Sequence, residues 1–229
     1  MHLTQKIISK PADLLAQIPT LAAIKPDLLV VFGSVAHFSA PDFADTLHAG
    51  LPGAALIGCT TAGEISADGV NDNTCTLTAI KLEKTTLTRA NTTLTGMDDS
   101  FAAGERLGQQ LAATDLKAVL VFGPGVLING SALVDGITSI IGSNTPITGG
   151  LAGDGGAFKQ TFTLGPDGVR DNAIVAIGLC GESLAFGHGS FGGWEPFGPA
   201  RKVTRCTNNV LFELDDEPAL DVYKRYLGE

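Results

Sequence analysis

Cations, cysteine motifs and long apolar runs are all scarce in this sequence. Only 15 Lys and Arg stand against 24 Asp and Glu in 229 residues, a formal net charge of −9. Nucleic-acid backbones and anionic membrane surfaces are held mainly through Lys and Arg, so the balance argues against both as partners. The four cysteines, Cys59, Cys75, Cys180 and Cys206, form no Cys-x-x-Cys pair and no zinc spacing. Scattered thiols in a chain of this length read as reduced core residues of a cytoplasmic protein. Met1 to Lys10 holds no apolar run of signal-peptide length. Gly136 to Gly153, a charge-free stretch that no other exceeds in length, is interrupted by Gly, Ser, Thr, Asn and Pro, unlike a membrane span. No His-x-x-x-His, no Gly-x-Ser-x-Gly elbow and no Gly-Lys-Ser/Thr phosphate loop occurs, which argues against a dedicated zinc centre, a serine-hydrolase elbow and a Walker nucleotide site.

Glycine and aliphatic residues are abundant. With 29 Gly, 11 Phe and 44% hydrophobic residues, the chain can bury a sizeable core and make many tight turns. The clearest internal signal is a repeat. Asp27-Leu-Leu-Val-Val-Phe-Gly33 reads like Lys117-Ala-Val-Leu-Val-Phe-Gly123, each an apolar run ending in Gly, as expected of a strand buried on both faces. Helix signals follow both. Ser39-Ala-Pro-Asp42 precedes Phe43 and Leu47, with Gly50 as the stop; Asn129 or Ser131 caps a helix with Leu133, Val134, Ile137 and Ile141 on one side and Gly142 as the stop. Then come a short strand ending at Gly58 or Gly149, a turn, Cys59-Thr-Thr-Ala-Gly-Glu64 or Gly150-Leu-Ala-Gly-Asp154, and a strand at Thr74–Leu82 or Asn172–Leu179. Each of these last strands is expected to be followed by another across a short turn.

The expected fold is therefore an α/β layered sandwich of two pseudo-symmetric βαββ-like repeats with mixed sheets. The repeats cover about 27–92 and 117–190 and form one domain over 1–229. A helix near Asp99–Ala113, with Phe101, Leu107 and Leu111 on its face, joins them. Ser9 and Pro11 start a short helix that Pro19 breaks or kinks. A last helix opens at Asp215-Asp-Glu-Pro218, with Asp216 as a cap and Leu220, Tyr223 and Leu227 along one side, and something is expected to pack on that side.

Four words in order carry a family resemblance: Gly58-Cys-Thr-Thr-Ala-Gly-Glu-Ile65, Gly149-Gly-Leu-Ala-Gly-Asp154, Gly187-His-Gly-Ser190 with Gly193-Trp-Glu-Pro196, and Pro218-Ala-Leu-Asp-Val-Tyr223. Together they resemble the FIST N-terminal sensory domain, over nearly the whole chain from about Leu28. The resemblance implies intracellular bacterial signal transduction beside a histidine kinase, a cyclic-dinucleotide enzyme or a chemoreceptor-like module. It also implies a C-terminal FIST partner domain in cis, expected after residue 229. Small metabolites such as amino acids are implied ligands, and haem with nitric oxide sensing is implied for some members. It identifies no haem ligand in this chain.

Candidate site residues follow from the loops. Gly33 and Ser34, and Gly123 and Gly125, end the two buried strands, where α/β sheets tend to place ligands; the plain alternative is a tight turn. Cys59, Thr60, Thr61 and Glu64 form one Ala-Gly-acid turn, and Gly150 and Asp154 the other. An acid pair facing one pocket can grip an amine, position a water or bind a hard cation, whereas each acid alone would cap a turn in its own copy. Gly187 to Gly192 matches Gly-x-Gly-x-x-Gly, but no helix follows, so a dinucleotide reading fails. His188, flanked by glycines and near Trp194, is the strongest polar handle among the histidines and the first choice as an iron ligand if haem binds; His37 is second. No catalytic residue is assigned. The leading reading is a sensory domain that binds a small metabolite between the repeats and passes the change on through the last helix. Its rivals are a haem-based nitric oxide sensor and a hydrolase using Cys59 or the Glu64/Asp154 pair.

Overall fold

The computed structural model describes residues 1–189, 192 and 195–228. The chain divides into two compact units, Met1–Gly187 and His188–Glu229. In chain order the larger unit contains β1 (His2–Ile8), α1 (Leu14–Ala22), β2 (Leu28–Gly33), α2 (Val35–Phe38), α3 (Phe43–Gly50), β3 (Ala55–Thr60), β4 (Glu64–Ser66), β5 (Gly69–Asn71), β6 (Cys75–Lys81) and β7 (Thr86–Thr93). It continues with α4 (Ser100–Leu111), β8 (Leu116–Gly123), α5 (Gly130–Ile141), β9 (Ile147–Leu151), β10 (Thr163–Gly165), β11 (Gly168–Arg170) and β12 (Ala173–Cys180).

These strands form two mixed sheets, ordered β1-β6-β2-β3-β10-β11 and β7-β12-β8-β9. In each, a parallel pair (β2 with β3, β8 with β9) lies beside an antiparallel strand, β6 or β12. The first four strands of the six-stranded sheet therefore have the same order as the whole four-stranded one. The equivalence begins one strand and one helix earlier than the sequence words imply, at β1 and β7. His2–Ile8 alternates too weakly to read as a strand, and β1 is an edge that only its ladder with β6 identifies.

Side-chain alternation along the strands builds the layers. Leu29 and Val31 point to a core with Leu14 and Leu21 of α1 and Phe43 and Leu47 of α3. Leu28, Ile57 and Cys59 point the other way and meet Phe122, Val175 and Ile177 of the second sheet. There the Phe32 and Phe122 rings of the two matching words meet edge to face, centroids 5.2 Å apart. On the far side of the second sheet, Val119, Val121 and Ile174 pack on Leu107, Leu111, Leu133 and Ile137. The unit is thus a helix–sheet–sheet–helix sandwich, a mixed α/β layered fold.

The two helix layers are made differently. Between α4 and α5 the backbones touch: a Cβ on Gly104 would lie 2.3 Å from the Leu133 carbonyl oxygen, and one on Gly136 would lie 2.1 Å from that of Phe101. Phe101 itself is 44% exposed, so the buried face of α4 runs through Ala103, Gly104, Leu107, Gly108 and Leu111 instead. Small residues, not the aromatic one, define the contact.

Other local expectations are also corrected. Pro19 does not break α1, which runs through it to Ala22. Cys59 is inside β3 and not in the loop after it. The strands at Thr74–Leu82 and Asn172–Leu179 do not open hairpins: β7 crosses to the other sheet, and no described strand follows β12 until Val203. Asn129 does cap α5, its Oδ1 accepting from the Ala132 N–H at 3.1 Å.

The smaller unit has a three-stranded sheet, β13 (Val203–Thr207), β14 (Val210–Leu214) and β15 (Glu217–Pro218), followed by α6 (Ala219–Leu227). Pro218, not Asp216, is the α6 N-cap; Asp216 is in the left-handed region at φ 65° and donates its N–H to Thr204 Oγ1. Ala219 and Val222 are buried, while Leu220, Tyr223 and Leu227 are all exposed. Among the described residues no helix is long and apolar enough to cross a membrane.

Candidate functional site

The carboxyl ends of the parallel strands converge on one loop, residues 152–162. Its Ala152 N–H donates to the Gly123 carbonyl of β8, and its Gly153 N–H donates to the Thr60 carbonyl of β3. The Phe162 N–H then donates to Thr60 Oγ1, and Thr161 Oγ1 accepts from the Gly125 N–H at 2.8 Å. Gly125 has to be glycine, since a Cβ there would sit 1.9 Å from the Ala152 carbonyl oxygen. Two hollows flank this loop.

Cavity A, about 340 Å3, lies beyond β2 and β3 and is lined by Ser34, Thr61, Glu64, Asp72, Asn73 and Asp154 with neighbouring small residues. Both Ala-Gly-acid turns therefore face one cavity. Glu64 is 1% exposed and fully engaged: it accepts from Thr61 Oγ1 at 2.7 Å, Thr74 Oγ1 at 2.8 Å and the Thr74 N–H at 3.0 Å. Those bonds tie the turn after β3 to the start of β6. Asp154 accepts the N–H groups of Lys159 at 2.7 Å, Phe158 at 2.9 Å and Gln160 at 3.2 Å. The Lys159 N–H foremost, with those of Phe158 and Gln160, holds its carboxyl below the usual range. Each acid thus anchors its own loop while lining the shared cavity. No Lys, Arg or His lines cavity A among the described residues.

Cavity B, about 570 Å3, lies beyond β8 and is lined by Leu94, Thr95, Val126, Leu127, Lys159, Thr161, Asp171 and Asn172, among others. Its position matches that of A. Ser34–Ala36 follows β2 as Pro124–Val126 follows β8, and Asp72-Asn73 precedes β6 as Asp171-Asn172 precedes β12. Behind that match lies a word the repeat comparison missed: Gly69-Val-Asn-Asp-Asn73 against Gly168-Val-Arg-Asp-Asn172. The shared Gly-Val-x-Asp-Asn spelling could have revealed it.

The remaining candidates are spread out. Cys59 is 3% exposed between the sheets, and burial pushes its thiol up to about 12, so it is a core residue with no thiolate at neutral pH. Thr60 is buried and holds the 152–162 loop. Gly33 ends β2 against Cys75, and Gly123 and Gly150 line a different, apolar hollow beside Leu133 and Leu151. His188 lies in the smaller unit, and Trp194 lies outside the described residues.

His37 is 1% exposed; its Nδ1 meets Ser34 Oγ at 2.9 Å, and its Nε2 is buried without a hydrogen-bond partner. Burial lowers its pKa, against the opposing pull of the Glu64 and Asp13 charges. Among the described residues neither cavity offers a His, Cys, Met or Tyr as an axial iron ligand, so those lining them do not fit haem. No group of three or more potential metal ligands occurs among the described residues.

The larger unit is thus a double-sheet sandwich with paired hollows at the strand ends and acids serving as loop anchors. The family model of the FIST N domain matches residues 27–217, and the chain belongs to that family, a sensory family of signal transduction. It is also similar to an uncharacterized protein of Methanocaldococcus jannaschii, 37% identical over 86 residues. That match covers 36% of this chain and 15% of the archaeal protein.

Proposed function

We propose that the chain is a ligand-sensing domain of intracellular signalling in which cavity A binds a small amine-bearing metabolite. The observation that carries this is the convergence of the two Ala-Gly-acid turns, with Asp72, on one hollow lined by carboxylates and hydroxyls and, among the described residues, by no basic side chain. A protonated amine there meets Asp72 and Asp154 and hydrogen-bonds Ser34 and Thr61, while Glu64 keeps the wall in place. We read the two equivalent halves of the larger unit as an internal duplication, with the ligand bound between loops of both copies.

Asp154 gives such binding an outlet. A cation that draws its carboxylate toward cavity A competes with the three N–H groups it holds at 158–160, so the ligand favours one arrangement of that loop over another. We take the exposed Leu220, Tyr223 and Leu227 face of α6 as the surface read by a downstream signalling partner or a following FIST domain. The test is calorimetric titration with small primary amines. Binding that is weakened about tenfold or more by Asp72→Asn, as loss of a charge-assisted contact requires, supports the reading. Equal affinity for the matching alcohols, or no effect of Asp72→Asn, removes it.

A further inference from the structure

Cavity B is the larger hollow, occupies the equivalent place in the second half, and has a different chemistry. It receives neither Ala-Gly-acid turn. Its wall carries one base, Lys159, whose ammonium has no ion pair among the described residues, and one acid, Asp171. Leu94, Val126 and Leu127 provide an apolar side. Thr161 is 3% exposed and accepts the Gly125 N–H, and its O–H has no acceptor among the described hydrogen bonds, so it can donate to a ligand.

The loops around B hold apolar residues in an unusual state. Leu127 lines the cavity at φ 58° while 71% exposed, and Phe158, next to Lys159, is at φ 52° and 83% exposed. Bulky side chains seldom adopt the left-handed region. An apolar ligand body in the cavity would cover Leu127 and remove its exposure.

We propose that cavity B is a second ligand site, distinct from A, for a small monocarboxylate with an apolar body and a hydroxyl at its far end. The carboxylate pairs with Lys159 and accepts a hydrogen bond from the Thr161 hydroxyl, the body covers Leu94, Val126 and Leu127, and the hydroxyl donates to Asp171. The balance of one base and one acid sets this class apart from the amine ligand of A.

The probe is 4-hydroxyphenylacetate, titrated calorimetrically into the full chain, with 2-(4-hydroxyphenyl)ethanol as the carboxylate-free control. Binding of the acid is expected, with the control about tenfold weaker or worse, and Lys159→Met is expected to cost about the same factor. Asp171→Asn should reduce affinity for the hydroxylated acid more than for phenylacetate, and Asp72→Asn in cavity A should change neither. Equal binding of the control, an unchanged Lys159→Met, or no binding of the acid at all overturns the proposal. A loss caused by Asp72→Asn overturns it too, because the probe would then occupy A. Since the amine titration of cavity A uses other probes and another variant, either site can fail alone.

Discussion

The two halves of the sandwich share a strand order but differ in how they are held and in what they line. In the first half the helix layer meets through side chains: a Cβ on Gly50 would press on Cγ2 of Ile18, 2.5 Å away. In the second, α4 and α5 meet backbone to backbone. The cavities diverge as well, A collecting both acid turns and B a lysine and an apolar wall. The two halves thus share a topology but not their contact residues, because strand order depends on the buried pattern and a site depends on a few loop side chains.

The sharpest way to break the comparison is to add the same kind of bulk to both helix layers. Gly136→Ala drives its Cβ into the Phe101 carbonyl, which cannot move without shifting α4, and should cost about 3 kcal/mol, the upper end of overpacking effects. Gly50→Ala meets only the movable end of Ile18 and should cost clearly less. Urea denaturation midpoints compare the two, and equal costs would dissolve the distinction.

Next in size is the anchoring of the loops. Glu64→Ala leaves the part-buried Thr74 N–H without its acceptor and should cost about 2 kcal/mol. Asp154→Asn, in a wetter place and still offering an acceptor oxygen, should cost little stability while raising amide exchange at 158–160. If the stability losses are the same size, the two anchors are equivalent after all.

Smaller again are the pH effects, which separate the halves by where they titrate. His37 in the first half has a pKa below its ordinary 6.5. As pH falls through that ordinary value the unfolded chain takes a proton that the folded one resists, so stability falls there. His37→Asn should flatten the slope. In the second half the Arg106 guanidinium beside Asp99 holds its carboxyl at about 2, below its ordinary 3.8. Its contribution is present above 3.8 and lost as pH falls through about 2; Asp99→Asn should remove that acid-side loss, a modest one because solvent screens the pair.

The slightest effect concerns function directly. Native protein treated with iodoacetamide at neutral pH should label the exposed Cys206 and spare the buried Cys59, Cys75 and Cys180. Rapid labelling of Cys59 would revive a nucleophile there, while a Cys59→Ser variant that loses stability, its hydroxyl buried among apolar side chains, would agree with its place in the core.

The sequence by itself determined the mixed α/β class, the two Phe-Gly strands, the capped α5 and the family, because those depend on local signals: apolar runs, an Asn cap, a glycine stop and four spelled-out loop words. It also singled out Ser34, Thr61, Glu64 and Asp154, which the fold gathers in cavity A. Only the tertiary structure decided that β1 and β7 begin the halves, since an edge strand is identified by its ladder and not by its own weak pattern. It likewise placed Cys59 in the core, moved the buried face of α4 onto Gly104 and Gly108, and made Lys159 and Asp171 walls of one cavity. Those are contacts between residues far apart in the chain. No short stretch of sequence carries them, because they exist only once two sheets and the loop between them are packed together.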